Sequence, residues 1–370
     1  MKATLTLKPA IAALTHLCRV AEKNSSKPIL ACVLMEADAE KRTLRMTATN
    51  YDMMLTLTLP ADVQESGMAL VSGIRLRDQF KTASETSANL SLDNKLWLTV
   101  ETEGGTGRLP GMEVALFPKE IGAPVPQSGL AYIGAPYLLD CFARALPFTQ
   151  KNETRKNLMG VHVSANVETG MRFTALDGHR LIRLPVDCEA EGKADMIVPR
   201  MSLTVLTKIK PPKGEIAELR WDEKNLTVAW AGMWCSVRLI EGQFPNVDPA
   251  IPTTDAPKAL IPVKPFVAAL EAIAKASPDK IKPVKLTING QIALASERAE
   301  FGDVQRSAPC EYTGPEYVIG CNAVYVLAVL ESLGADTVAM QSGAPLTPML
   351  FTTDTMPGLQ AVVMPLQIEW

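Results

Sequence analysis

The sequence feature that most constrains the fold is an internal repeat. The segment 171–176 alternates apolar and polar residues, which is typical of a half-buried strand, and Asp177 with Gly178 then predicts a tight turn. A similar segment lies upstream, with Thr47 placed 127 positions before Thr174. We therefore predict that one structural unit is copied along the chain.

Further landmarks recur at almost the same spacing. Three prolines at predicted helix starts lie 127 and 129 residues apart, at Pro9, Pro136 and Pro265. Three junctions between a strand and a second helix lie 127 and 121 residues apart and begin at Val71, Val198 and Ile319. Proline-rich stretches typical of linkers occupy 122–126 and 252–257. We predict three domains of one kind, with boundaries 1–124, 125–253 and 254–370.

Composition excludes some classes of protein and leaves others open. The 370 residues include 37 Lys and Arg against 40 Asp and Glu, so the formal charge is −3 and the surface is not basic throughout; this balance is compatible with a local basic patch. The seven cysteines form no C-x-x-C pair, which favours buried free thiols and argues against a zinc site. No apolar run reaches the ~20 residues of a membrane helix. We expect a cytoplasmic protein without a membrane anchor.

Catalysis has little support in the sequence. The chain has three histidines, His16, His162 and His179, and contains no G-x-S-x-G, Walker, G-x-G-x-x-G or H-E-x-x-H motif. Asp177 lies two residues before His179, but such a pair in a turn is more often structural. A hydrolase built on these two residues is therefore the weakest of three hypotheses.

Basic residues follow the predicted helices or lie just beyond them. Individually they are best explained as solvated helix faces, but together they predict a surface suited to a phosphate backbone without base readout. We assign twelve residues to this surface, called the DNA-facing surface below. Ten are basic, namely Arg19, Lys23, Lys81, Arg144, Lys151, Lys156, Arg200, Lys208, Lys210 and Lys275, and two are polar neighbours, Asn24 and Gln150. At the other end of the chain, the apolar run 362–366 contains Pro365, which cannot continue a central strand, and so predicts an apolar surface patch.

Five motifs together resemble a known family. They are TALDGHRL at 174–181, IVPR at 197–200, GQFPN at 242–246, IGCNAVYVL at 319–327 and VVMPL at 362–366. In this order they resemble the bacterial DNA polymerase III beta subunit, the sliding clamp, over essentially the whole chain.

The resemblance implies an α+β fold with three tandem copies of the DNA clamp (processivity) fold, each consisting of two helices backed by two antiparallel sheets. It also implies a head-to-tail homodimer that forms a six-domain ring around duplex DNA. The partners implied are the DNA polymerase III alpha subunit, the clamp loader and other proteins with a clamp-binding motif. Neither catalysis, cofactor nor metal is implied.

The resemblance further implies a peptide-binding pocket between the second and third domains. Carried over by motif, its residues are Leu158, Leu176, Gly178, His179, Arg180, Leu181, Pro245, Pro249, Ala250, Val362, Val363, Met364, Pro365 and Leu366. Several positions depart from the usual pattern of the family, namely Leu176, Val247, Pro249, Gln367 and the glycine-rich edge 104–107. They predict a divergent member, and they keep open the hypothesis of a monomeric clamp-like adaptor or decoy.

Overall fold

The structure of the chain is a computed structural model that describes residues 1–21, 26–83, 86–118, 128–166, 170–277, 281–296, 304–344 and 346–367. Within these ranges the helices are α1 (Leu7–Val20), α2 (Gly73–Thr82), α3 (Ala135–Ala145), α4 (Arg200–Leu206), α5 (Val263–Ala276) and α6 (Ala323–Leu333). The three prolines predicted at helix starts lie in the first turns of α1, α3 and α5, where a missing N–H costs no helical hydrogen bond. The recurring helix pairs are therefore confirmed.

The strands follow in chain order. The first thirteen are β1 (Lys2–Thr6), β2 (Cys32–Asp38), β3 (Thr43–Thr49), β4 (Met53–Pro60), β5 (Asp62–Glu65), β6 (Gly67–Ser72), β7 (Ser87–Leu92), β8 (Trp97–Thr102), β9 (Gly105–Pro110), β10 (Gly129–Gly134), β11 (Gly160–Asn166), β12 (Gly170–Leu176) and β13 (Arg180–Val186). The others are β14 (Glu189–Gly192), β15 (Ala194–Pro199), β16 (Ile216–Trp221), β17 (Asn225–Trp230), β18 (Met233–Arg238), β19 (Ala259–Pro262), β20 (Pro283–Ile288), β21 (Gln291–Ala295), β22 (Gln305–Pro309), β23 (Tyr317–Asn322), β24 (Thr337–Gln341), β25 (Met349–Thr352) and β26 (Gln360–Val363).

The chain divides into two compact units. Unit 1 comprises Met1–Leu138, Cys188–Gly192 and Met201–Leu239, and unit 2 comprises Leu139–Asp187, Lys193–Arg200 and Ile240–Trp370. Unit 1 contains a five-stranded sheet of order β5-β1-β7-β8-β9 and a nine-stranded sheet of order β14-β10-β16-β17-β18-β4-β3-β2-β6. Unit 2 contains an eight-stranded sheet of order β15-β11-β12-β13-β26-β25-β24-β19 and a four-stranded sheet of order β22-β21-β20-β23.

The units differ from the predicted domains because strands of consecutive repeats share a sheet. In unit 1, β4 of the first repeat pairs with β18 of the second, and in unit 2, β13 of the second repeat pairs with β26 of the third. These pairings make a continuous hydrogen-bonded ladder at each junction, so one compact unit contains strands of two repeats. The predicted linker 122–126 lies outside the described residues. The boundaries 1–124, 125–253 and 254–370 stay predictions.

Helix α4 and strand β9 differ from a regular repeat in local detail. Helix α4 ends at Leu206 and does not extend to the apolar Ile209, because Lys210 precedes a proline, which disfavours helical backbone. The glycine-rich edge does form strand β9. A glycine suits position 107 of this strand, because a Cβ there would lie only 2.5 Å from Nε2 of Gln79.

Candidate binding site at the junction of β13 and β26

The turn between β12 and β13 is fixed by its own hydrogen bonds. Oδ1 of Asp177 accepts hydrogen bonds from N of His179 and N of Arg180, at 3.0 and 3.1 Å. Gly178 has φ +92°, a left-handed conformation that a residue without Cβ adopts at little cost. This Asx turn is the tight turn that the sequence predicted, and it leaves His179 exposed.

The side chain of Arg180 stabilises this turn through hydrogen bonds and ring contacts. Its Nε donates to Oδ2 of Asp177 at 2.9 Å, and its NH2 donates to the carbonyl oxygen of Pro147 at 2.8 Å. The guanidinium carbon also lies 5.3 Å from the centre of the Phe148 ring and 4.8 Å from that of the Tyr325 ring. Because the Arg180 side chain is only 11% exposed and has these partners, we assign it to holding the turn rather than to touching a ligand.

An apolar cluster lies between the turn and the last strand. Its buried members come from β13, β25, β26 and the segment after β18, and they are Leu181, Val247, Ile251, Leu350 and Val362. Leu176 and Phe244 are partly buried and pack against this cluster. Leu181 and Val362 are register partners across β13 and β26, so one pair of strands supplies the floor. Half-buried apolar side chains above a buried apolar floor suit an apolar ligand.

The structure sorts the predicted pocket residues by burial. Leu158, Leu181, Val362 and Val363 are buried, and Leu176, Arg180, Pro365 and Leu366 are half-buried. The exposed ones are Gly178, His179, Pro245, Pro249, Ala250 and Met364. The turn and the end of the chain meet directly, because N of Met364 donates to the carbonyl oxygen of His179 at 2.8 Å.

The sequence-based assignment missed several members of this site. Phe244, Val247 and Ile251 pack into the cluster, whereas the neighbours chosen from the motif are exposed. The spacing of three and four residues among these apolar positions was a usable signal. Tyr325, whose ring stacks against that of His179 at 5.7 Å, was not predictable, because it comes from α6 of the next repeat.

Two arginines assigned to the DNA-facing surface have other partners. NH1 of Arg144 donates to the carbonyl oxygens of Ser332 and Leu333 at the end of α6, both at 2.8 Å, where the helix dipole favours a cation. NH1 of Arg200 donates to the carbonyl oxygen of Leu146 at 2.8 Å and to Oγ1 of Thr149 at 2.6 Å. Their contacts therefore do not support the assignment of these two arginines to DNA; they hold the fold.

Burial adds to this reading of Arg200. Loss of solvation, followed by the nearby positive charge of Arg180, lowers the pKa of Arg200 from its ordinary value. Two guanidinium groups thus lie close together beside the backbone carbonyls of residues 146–149.

Most of the other assigned residues present their side chains to solvent. Arg19, Lys81, Lys151, Lys156, Lys208, Lys210 and Lys275 are exposed, and Gln150 is half-buried. Lys275 also pairs with Glu271 on the same helix, at 3.3 Å. Burial, with a further contribution from Arg19, lowers the pKa of His16. Lys23 and Asn24 lie outside the described residues.

Among the residues that the structure describes there is neither a metal site nor a membrane-spanning helix. They contain no group of three or more His, Cys, Asp or Glu side chains placed to hold a metal ion. None of the described helices is long and apolar enough to cross a membrane. The seven cysteines are free thiols, six of them buried, and burial raises the pKa of the Cys321 thiol to about 12.

Repeated helix pairs on antiparallel sheets, with an apolar site where the second repeat meets the third, define a protein of the DNA clamp class. A solved sliding clamp from Pseudomonas aeruginosa bound to griselimycin has the same fold, with a TM-score of 0.92, 20% identity and full coverage of both chains. A Helicobacter pylori beta clamp bound to a DNA ligase peptide gives a TM-score of 0.89 at 17% identity, again over both full chains.

Three family models match consecutive parts of the chain. They describe the N-terminal, central and C-terminal domains of the DNA polymerase III beta subunit and match residues 1–120, 145–246 and 249–367. The beta sliding clamp of Synechococcus elongatus is 26% identical over 365 residues, which cover 96% of each chain. The chain belongs to the family of DNA polymerase III beta subunits, and the low identities agree with the predicted divergence.

Family membership also decides the question of catalysis. Members of the family are non-catalytic processivity factors, so the prediction that the chain is not an enzyme is confirmed. The carboxylate of Asp177 is already engaged by the turn and by Arg180. The hydrolase hypothesis is therefore discarded.

Proposed function

We propose that this protein is a DNA sliding clamp, a processivity factor that encircles duplex DNA and tethers polymerases to it. The observation that carries the proposal is the match of three clamp domains in order along the whole chain. The clamp does no chemistry on DNA; its contribution is to keep a bound polymerase at a high effective concentration on the template.

The ring would form from two copies arranged head to tail. Six domains, three from each chain, then enclose the DNA. Strand β9 lies at one edge of the five-stranded sheet and β22 at one edge of the four-stranded sheet, as far as the described residues go. An open edge can pair with a strand of another chain, so these edges are the surfaces we assign to the homodimer.

Exposed cations would face the DNA. Seven side chains remain for this role after Arg144 and Arg200 are set aside: Arg19, Lys81, Lys151, Lys156, Lys208, Lys210 and Lys275. Lys and Arg neutralise phosphates without reading bases, which suits a protein that must slide. Lys23, Asn24 and Gln150 stay in this assignment as predictions.

The site between β13 and β26 would bind a short apolar peptide. Leu176, Phe244 and Met364 offer accessible apolar surface above the buried cluster. The partners we assign to it are the alpha subunit of DNA polymerase III, the clamp loader and other proteins with a clamp-binding motif, all in the bacterial cytoplasm. Of the predicted residues, those with accessible surface supply the contacts and the buried ones supply the floor.

Topological retention on DNA tests the function. We expect the protein, assembled on nicked circular plasmid by a bacterial clamp loader, to stay bound at high salt and to leave once a restriction enzyme linearises the plasmid. A plasmid without the restriction site, treated in the same way, is the matched control. Equal loss from both plasmids would refute encirclement.

Sedimentation should give about 80 kDa, twice the 40.0 kDa chain, whereas a stable single-chain mass would favour the adaptor hypothesis, which nothing in the fold or the relatives supports.

A further inference from the structure

One segment of unit 2 lies across the face of the eight-stranded sheet that carries His162 and Arg183. The segment 243–251, called the strap here, follows β18 and ends before β19. On the sheet, His162 is the register partner of Thr174, and Thr174 is the register partner of Arg183. His162 and Arg183 therefore lie on one row, two strands and about 10 Å apart.

Three side chains hold the strap, one from the segment before β11 and two from the sheet. Nδ2 of Asn157 donates to the carbonyl oxygen of Gln243 at 2.8 Å. The rings of His162 and Phe244 stack with 4.5 Å between their centres and an interplanar angle of 8°. Arg183 then forms an ion pair with the strap residue Asp248, with NH2 and Oδ1 2.5 Å apart.

His162 is itself oriented by a neighbour. Its Nε2 lies 2.7 Å from Oδ1 of Asp195 on β15, and the imidazole side chain is 16% exposed. A ring fixed at one nitrogen presents a constant face for stacking. The Phe244 side chain therefore has a defined surface to lie on, although it is only partly buried.

The strap also has internal structure. N of Asp248 donates to Oδ1 of Asn246 at 3.0 Å, and N of Ala250 donates to the carbonyl oxygen of Val247 at 2.9 Å. The second bond, together with the bond from N of Ile251 to the carbonyl oxygen of Asp248 at 3.2 Å, defines a short 3₁₀ helix, Asp248–Ala250. On its inner side the strap contributes Val247 and Ile251 to the apolar cluster of the candidate site.

We propose that Asn157, His162 and Arg183 are positioning residues that hold the strap as a preformed wall of the peptide site. None of them belongs to the apolar cluster, but each fixes the part of the chain that forms one side of it. A wall fixed before binding spares the ligand the cost of ordering it, which is a direct gain in affinity. This inference rests on the proposed peptide-binding function.

Peptide affinity measured by fluorescence anisotropy tests the proposal. The probes are labelled griselimycin and the labelled DNA ligase peptide bound by the Helicobacter pylori clamp. We expect Arg183→Ala and Asp248→Ala each to weaken binding about two- to fivefold, the upper part of the range for a partly exposed ion pair. The double variant should be no weaker than either single variant, because both remove the same tie.

Rescue separates positioning from a general structural defect. The exchange of charges in Arg183→Asp with Asp248→Arg should bring affinity back to within about twofold of wild type. Likewise His162→Phe, which keeps a ring under Phe244, should retain affinity that His162→Ala loses. Arg172→Ala, an arginine of β12 on the neighbouring row, is the matched control and should leave affinity unchanged.

The outcomes distinguish this inference from the function on which it rests. Failure of the wild-type protein to bind either probe would overturn the peptide site and the positioning role together. Binding by wild type with unchanged affinity in Arg183→Ala, Asp248→Ala and His162→Ala would overturn only the positioning role. Loss of affinity that the charge exchange fails to restore would also count against it, because the strap would then depend on something other than this pair.

Discussion

The junction of β4 with β18 in unit 1 and the junction of β13 with β26 in unit 2 share one backbone frame. Asn50 and Asp177, 127 residues apart, each accept hydrogen bonds from the N–H groups two and three residues further on, at 3.2 and 2.8 Å and at 3.0 and 3.1 Å. The N–H groups of Arg238 and Met364 then close the two junctions with bonds of 2.8 Å to the carbonyl of the residue two after Asn50 or Asp177. The repeat thus extends to single hydrogen bonds.

The side chains on this frame differ where a ligand would bind. Phe117 and Phe244 are also 127 residues apart, but Phe117 is 4% exposed in a cluster with Leu34, whereas Phe244 is half-buried and stacks on His162. Leu34 and His162 occupy the same register, each opposite the threonine of the repeated strand. A polar, oriented partner lets the second aromatic remain accessible. The shared backbone frame therefore determines the fold, and a few side-chain differences at the junction in unit 2 produce the candidate binding site.

Replacing each of the two phenylalanines by alanine should reveal the largest difference between the two junctions. We expect Phe117→Ala to lower the free energy of unfolding by about 3–4 kcal/mol, since it leaves a cavity in a buried cluster. Phe244→Ala should cost about 1–2 kcal/mol, because less apolar area is lost from the interior. Urea unfolding measures both values.

Peptide affinity should rank the same two variants in the opposite order. Phe244→Ala is expected to weaken griselimycin binding at least tenfold, whereas Phe117→Ala should not change it at temperatures where the variant is folded. Equal stability losses, or a peptide defect in Phe117→Ala, would show that the two clusters have the same role.

The Asx turns provide a second, smaller contrast. Asp177→Ala should cost about 2–3 kcal/mol, because it removes the turn acceptor and leaves the mostly buried Arg180 without its carboxylate. Asn50→Ala removes only the turn acceptor and should cost about 1 kcal/mol. Thermal and urea unfolding of the two variants provide the comparison.

Exchange of the two turn residues separates the contributions. Asn50→Asp keeps the acceptor and should be nearly neutral, while Asp177→Asn keeps the turn but loses the ion pair and should fall between wild type and Asp177→Ala. If Asp177→Asn were as stable as wild type, the ion pair with Arg180 would contribute nothing to the junction.

The repeat could be predicted because the sequence signals that indicate it are local. Alternation along a strand, the Asp177 turn and proline in the first helical turn all act within a few residues, so the helix pairs and the strand at Thr174 were correct. The tight turn before His179 was also within reach. The apolar surface patch predicted over 362–366 is right only for its end, because Val362 and Val363 lie in β26 and are buried, whereas Met364 is exposed.

What could not be predicted depends on contacts between distant parts of the chain. Arg144 looks like any basic residue on a helix face, yet its partner carbonyls lie 188 and 189 residues further on. Tyr325 meets the turn only because α6 is placed beside it by a shared sheet. The pairing of β4 with β18 has no local sequence signal at all, which explains why the compact units differ from the repeats.

The smallest contrast concerns backbone conformation in the two turns. Gly178 and Tyr51 occupy the same place in the repeat and both have positive φ, +92° and +72°. Gly178→Ala should cost about 1 kcal/mol, since a Cβ disfavours this region. Gly134→Ala, at a glycine without positive φ whose nearest Cβ contact would be 3.9 Å away, is the matched control and should be neutral or stabilising by up to about 1 kcal/mol.

Tyr51→Gly should change stability by less than about 0.5 kcal/mol. Relief of the left-handed strain gains about 1 kcal/mol. That gain is offset by loss of the contact between the ring and the Lys27 ammonium, 4.8 Å from the ring centre and worth about 0.5–1 kcal/mol at an exposed site. Stabilisation by a full 1 kcal/mol would mean that the cation contributes nothing, whereas a loss of that size would mean that the tyrosine is not strained. A near-zero result, with a clear cost for Gly178→Ala, would show that unit 1 tolerates a strained residue by pairing it, while unit 2 avoids the strain with glycine.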